Sequence, residues 1–202
     1  MPKVAYSEAE RAHIREVLIA AALEQLAKHG MQHMTVEQVY RAAGISRTFF
    51  YSFFPTKEDL VLETLYFQQP KVLSYARGLM DDPALSWREG VTRFFYACCY
   101  GEESGIAVLR IEDQQLLARR LSPESYRVFR EKQQLLFSRL LDCFGVQADK
   151  ANVGLFTNLS LAMMIMRRAI PQTLPFFVPE AAAETVAFQI HALVDYLEKL
   201  RG

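Results

Sequence analysis

The sequence predicts an all-α fold of about nine helices, divided into a three-helix amino-terminal helix-turn-helix domain over residues 1–57 and a helical carboxy-terminal domain over residues 58–202. Two patterns carry that expectation. Nearly every segment returns its apolar residues at spacings of three and four, the mark of a buried helix face, and no stretch sustains the apolar–polar alternation of a half-buried strand. Caps and breakers such as Gly30, Gly44, Pro55 and Ser122-Pro123 then punctuate the chain.

Composition narrows the class. A chain of 202 residues with 51% hydrophobic and 23% charged residues is an ordinary folded one, not disordered, collagen-like or membrane-spanning. Its 23 basic and 23 acidic groups cancel, so any attraction to nucleic acid must come from a local patch. Cys98, Cys99 and Cys143 cannot complete a disulfide framework, which predicts a reducing, cytoplasmic setting. Residues 1–10, with Lys3, Glu8 and Glu10, lack the apolar run of a secretory signal. The longest uncharged stretch, Ala151 to Met166, holds Asn152, Thr157, Asn158 and Ser160 and falls short of the roughly 20 apolar residues of a bilayer span. It predicts a buried helix and no membrane partner.

The first helix is expected from about Glu10 to Lys28. Ile14, Leu18, Ala21 and Gln25 make its stripe, Val17, Ala22 and Leu26 widen it, and Gly30 is its left-handed cap. Thr35 and Gln38 form a capping-box pattern for a second helix that ends near Ala42, with Val36, Val39 and Tyr40 on its apolar side. Gly44 supplies the positive φ of a tight turn, Ile45 sits beneath it, and Ser46 caps a third helix reaching about Phe54. Phe50 and Phe54 at i, i+4 face inward, which leaves Arg47, Thr48, Phe49, Tyr51 and Ser52 on exposed and flanking faces.

Pro55 stops that helix, and Thr56 caps the next, with Glu58 and Asp59 in its first turn. Leu60, Val61, Leu65 and Phe67 continue a long helix that Pro70, lacking a backbone donor, is expected to kink or break. Helices follow over Ser86 to Tyr100 and Ile106 to Leu121. Another starts at Ser122, Pro123 and Glu124 and runs to Phe144. One more runs from Asp149 to Ile170, and after a loop with Pro171, Pro175 and Pro179 a last helix spans Pro179 to Leu200.

The third helix has the form of a recognition helix, whose first turns enter the roughly 12 Å wide major groove. The stretch Thr35 to Leu60 resembles the DNA-binding domain of the tetracycline-repressor (TetR) family of bacterial transcription regulators, and the resemblance covers roughly residues 11 to 62. It rests on Gly30, Met34-Thr35-Val36, Ala43-Gly44-Ile45-Ser46, Phe50-Tyr51, Phe54-Pro55-Thr56-Lys57-Glu58 and Leu60. The resemblance implies that Thr35 and Ser46 contact phosphates at helix starts, that Tyr51 and Lys57 grip the backbone, and that Arg47, Thr48 and Phe49 face the groove; Ser52 shares that surface. Phe49 stands where the family usually has a small or hydroxyl residue, and it either touches a thymine methyl or packs at the domain edge. Residues 1–60 carry seven basic and seven acidic groups, which predicts modest background binding to DNA and a shallow salt dependence.

The resemblance further implies a carboxy-terminal domain that senses a small-molecule inducer and dimerises. Phe67, Trp87, Phe94, Phe95, Phe156 and Met163 are candidates to line a largely apolar ligand pocket or to fill the core. Apolar residues on several sides of the last two helices predict a partner, with Leu155, Leu159, Met166, Phe188, Leu193 and Leu197 in the interface. The expected homodimer sets two recognition helices about 34 to 36 Å apart on double-stranded DNA. Cys98 and Cys99 read as apolar filler, His13, His29, His33 and His191 lack zinc-site spacing, and no catalytic or cofactor motif is visible. The sequence thus predicts a ligand-responsive repressor released from a palindromic operator. The alternative is a small-molecule carrier that keeps the helix-turn-helix as scaffold.

Overall fold

Residues 6–100, 107–147, 149–169 and 178–201 are described by a computed structural model, without the side chains of 150–152 and 168–169. The expected helix ends at Ile106 and Ile170, and the loop prolines Pro171 and Pro175, lie outside the described residues. Among those described there are nine α-helices and no strand: α1 Glu8–His33, α2 Val36–Ala42, α3 Arg47–Phe50, α4 Lys57–Met80, α5 Trp87–Tyr100, α6 Ile111–Arg120, α7 Pro123–Cys143, α8 Lys150–Ala169 and α9 Ala182–Leu200. The fold is all-α, as the apolar spacing requires.

Helix boundaries differ from expectation, and α6 is one case: it begins at Ile111 and not near Ile106, residues 107–110 being non-helical with Arg110 extended at φ −70°, ψ 164°. A capping box between Ser7 and Glu10 starts α1 two residues earlier than predicted. Gly30 takes φ 73°, ψ 173°, a positive φ that breaks the helix there as expected, though with ψ outside the left-handed helical region, and a short further turn over Met31–His33 follows it. The third helix is shorter than predicted. Its hydrogen bonds tighten after Phe50, with Ser52 N donating to Phe49 O at 3.1 Å and Phe53 N to Phe50 O at 2.9 Å. The Ser52 hydroxyl also donates to Phe49 O at 2.7 Å, competing with helix propagation. Finally, α4 continues through Pro70 as one element, so the proline does not break it. Burial of Leu60, Val61 and Leu65 before the proline and of Val72, Leu73 and Ala76 after it outweighs a penalty of about 3 kcal/mol.

The chain divides into two compact units, Met1–Phe67 and Gln68–Gly202. In the first, Leu18, Ala22 and Leu26 of α1 are buried along with Val39 of α2 and Phe50 of α3. In the second, α5, α7, α8 and α9 enclose a core of interlocked rings, with Phe94 and Phe144 at 5.3 Å, Phe95 and Phe156 at 6.2 Å, and Phe137 and Phe156 at 5.7 Å. Such edge-to-face pairs are favoured by the ring quadrupole. No helix among the described residues is long and apolar enough to cross a membrane.

Candidate nucleic-acid interface

Three hydroxyl caps set the frame of the amino-terminal unit. At the start of α2, Thr35 Oγ1 accepts from Gln38 N at 3.2 Å while Gln38 Oε1 accepts from Thr35 N at 3.1 Å. At the start of α3, Ser46 Oγ accepts from Phe49 N at 3.2 Å. At the start of α4, Thr56 Oγ1 accepts from Asp59 N at 3.0 Å, and Asp59 Oδ2 accepts from Thr56 N at 3.0 Å. Between α2 and α3 the chain turns at Gly44, φ 65°, with Ile45 N donating to Tyr40 O at 3.1 Å. A Cβ there would meet nothing within 4 Å, so the positive φ alone favours glycine.

This frame fixes which side of α3 faces solvent. Phe50 and Phe54 are buried, 0% and 1% exposed, with ring centroids 5.8 Å apart. Arg47, Thr48, Tyr51 and Ser52 are exposed, Tyr51 at 40%. The Tyr51 ring leans edge-on against Phe50 at 5.2 Å, which braces it, and the Arg47 guanidinium lies 5.9 Å from its centroid. The structure therefore brings Ser46, Arg47, Thr48, Tyr51 and Ser52 to one short segment, while Lys57 is half-buried at the first residue of α4. Thr35 holds the same cap position on α2.

Phe49 is packed rather than free. Its ring stacks on Tyr6 at 4.7 Å and 17°, meets Phe53 edge-on at 5.0 Å, and has the Arg11 guanidinium 5.5 Å from its centroid. Neither Tyr6 nor Arg11 was legible as a neighbour of α3. The i, i+4 spacing of Phe49 and Phe53 is the one signal of this cluster in the sequence.

The near-balance of seven basic and eight acidic groups in this unit hides an uneven distribution of charge. Arg15 pairs with Glu63 at 2.9 Å, Lys28 with Glu24 at 2.6 Å and Arg41 with Glu37 at 2.5 Å. Hydrogen bonds from the Ser7 amide and hydroxyl hold the Glu10 carboxyl below its usual range. Arg11 and Arg47, by contrast, lie against aromatic rings with no carboxylate partner among the described residues.

The other candidates fall in different surroundings. Phe94, Phe95 and Phe156 are fully buried in the ring core of the second unit, where they fill space. Trp87 is partly buried and donates its indole N–H to Phe144 O at 2.7 Å. Phe67, 49% exposed, belongs to the first unit. Met163 lines a cavity of about 260 Å³ between α8 and α9, together with Leu159, Met166, Phe188, Gln189 and Leu193. Leu155, Leu159 and Phe188 are exposed beside it, Phe188 at 74%. Leu193 and Leu197, expected to face a partner, are instead buried in their own chain, because they share the inward stripe of α9 with Val186, Ile190 and Val194.

Comparison with known proteins agrees with this geometry. Residues 18–64 match the family described as bacterial regulatory proteins, tetR family. No curated protein matches the chain. Among solved structures, a TetR-family transcriptional regulator from Pectobacterium atrosepticum superposes with TM-score 0.59 at 18% identity, covering 96% of this chain and 97% of that one. GusR of Salmonella enterica gives 0.56 at 17%, covering 95% and 96%. The reduced form of NemR from E. coli gives 0.57 at 12%, covering 93% and 96%. These structures share the fold of the chain along nearly its whole length.

Proposed function

The chain belongs, through its amino-terminal domain, to the TetR family of bacterial regulatory proteins, and on that premise we propose that this DNA-binding transcriptional regulator is a homodimeric repressor that a small, largely apolar inducer releases from a palindromic operator. The observation that carries this reading is the exposed segment at α3. Burial of Phe50 and Phe54 commits one side to the core and leaves Arg47, Thr48, Tyr51 and Ser52 to solvent. In a major groove, Arg47 and Thr48 are the donors within reach of base edges, since arginine and hydroxyl side chains read bases there. Thr35, Ser46, Tyr51 and Lys57 fix register on phosphates, helped by the positive ends of α2 and α4.

The apolar cavity between α8 and α9 supports dimerisation. An exposed Phe188 beside a groove lined by Leu159, Met163 and Met166 is self-complementary, as a two-fold interface requires. Release then follows from linkage: an inducer lowers operator affinity by as much as it prefers the form that binds DNA poorly.

A mobility-shift assay with the DNA flanking the protein's own gene tests the reading. A specific shift, lost in the Tyr51→Ala, Lys57→Ala double variant and reversed by the inducer, is the expected result. Ligand binding with no retention of DNA would favour the carrier alternative and overturn repression.

A further inference from the structure

We propose that Arg11, on α1, is a further DNA contact: its guanidinium, mounted on the rings of Phe49 and Phe53 beside α3, binds a phosphate of the duplex that α3 engages. The inference rests on the DNA-binding reading above and adds to it a residue outside the helix-turn-helix.

Four arginines lie in the amino-terminal unit, and they divide into two kinds. Arg15 and Arg41 are neutralised by Glu63 and Glu37. Arg15 also lies over a ring, 5.2 Å from the Phe54 centroid, but Arg11 and Arg47 lie against rings of the α3 segment with no carboxylate partner among the described residues: Arg11 is 4.7 Å from the Phe53 centroid and 5.5 Å from that of Phe49, and Arg47 is 5.9 Å from that of Tyr51. A ring holds a cation in place without cancelling its charge, whereas a carboxylate cancels it. Only arginines of the second kind keep a full charge for an anion: Arg47 is the first residue of the four-residue α3, and Arg11 lies against Phe49 of the same helix. The planar guanidinium is also suited to a phosphate, which it can meet with two parallel N–H donors.

The mount is built, not incidental. Tyr6 stacks on the Phe49 ring at 4.7 Å, and Phe49 meets Phe53 edge-on at 5.0 Å, so the surface under Arg11 is braced from both sides. The nearby acid Glu10 is occupied by the Ser7 amide at 2.7 Å and hydroxyl at 2.8 Å, forming the cap of α1 and not an ion pair with Arg11. This arrangement gives Phe49 a role that needs no contact with a base: it is a positioning residue that carries the cation.

Neutralising a phosphate releases a counterion, so a contact is read from the salt dependence of binding. Binding of the intact protein to a random-sequence duplex is measured by fluorescence anisotropy between roughly 50 and 200 mM salt. Arg11→Leu keeps an apolar stem on the rings and removes the charge. It is expected to lower the slope of log K against log salt by about 0.9 and to weaken random and gene-flanking duplexes by the same factor. Arg11→Lys is expected to keep the slope. An unchanged slope in Arg11→Leu, or an equal fall in Arg11→Lys, would overturn the inference. The failures separate: if wild type binds duplex and only the Tyr51→Ala, Lys57→Ala variant loses it, Arg11 is not a contact and the regulator reading stands. A wild-type protein that binds no duplex overturns both.

Discussion

Two adjacent phenylalanines in α3 show how one position along the chain decides between fold and function. Phe50 is fully buried and touches Tyr51 and Phe54, whereas Phe49 is half-buried among Tyr6, Phe53 and Arg11 at the surface. Removing a buried ring forfeits its transfer energy and leaves a cavity, so Phe50→Ala is expected to destabilise the amino-terminal unit by about 3 to 5 kcal/mol, measured by urea unfolding. Phe49→Ala is expected to cost clearly less in the same experiment, because its cluster remains open to water. The Thr35 cap separates the two roles differently. Its hydroxyl accepts from Gln38 N, so Thr35→Ala should cost about 0.5 to 2 kcal/mol of stability, while Thr35→Ser should restore the cap. The inward role of Phe50 and Phe54 was readable from their i, i+4 spacing. The packing of Phe49 was not, since Tyr6 reaches it from a distant part of the chain.

At the level of elements, caps were legible and helix lengths less so. Thr35 with Gln38, Ser46, and Ser122 with Pro123 mark helix starts by residue type alone, and each caps the helix expected. Helix ends depend on local hydrogen bonding that residue type does not announce: the Ser52 hydroxyl helps close α3 early. The capping boxes also make a pH prediction. Hydrogen bonds from Ser7 and Ser86 lower the carboxyl pKa values of Glu10 and Glu89. Depressed folded-state values mean that this stabilisation is fully present above the ordinary carboxylate range and is lost as pH falls from there through the lowered folded-state values. Protection of the amides in the first turns of α1 and α5, taken as exchange relative to the intrinsic rate at each pH, is therefore expected to fall on acidification before the core of either unit opens. Pro70 yields an element-scale test of another kind. It is exposed inside α4, where a proline costs about 3 kcal/mol relative to alanine, so Pro70→Ala should raise the melting temperature in calorimetry.

Across the whole molecule, the two compact units differ in how much the sequence disclosed. In the first, the helix starts and the inward Phe50 and Phe54 were legible, because a turn glycine, three hydroxyl caps and a proline stop leave few ways to fold a segment so short, while the cluster of Tyr6, Arg11 and Phe49 was not. In the second, period alone cannot tell a residue that faces a pocket from one that faces a neighbouring helix. Phe94, Phe95 and Phe156 thus fitted a ligand chamber as well as the ring core they occupy, and Leu197 fitted an outward stripe as well as the inward one. Among the exposed apolar positions, Leu155 and Leu159 on α8 and Phe188 on α9 gather at one cavity of about 260 Å³. A ring left 74% exposed contributes little to the single chain. Phe188→Arg is accordingly expected to leave helical content and melting of the isolated chain unchanged. In the proposed dimer the same change would set two like charges near a two-fold axis and abolish the knob that fills the groove. Sedimentation should then report a monomer, and operator affinity should fall far more than binding to random duplex, because two half-sites are no longer held by one molecule. A Phe188→Arg protein that sediments as wild type would place the dimer contact elsewhere.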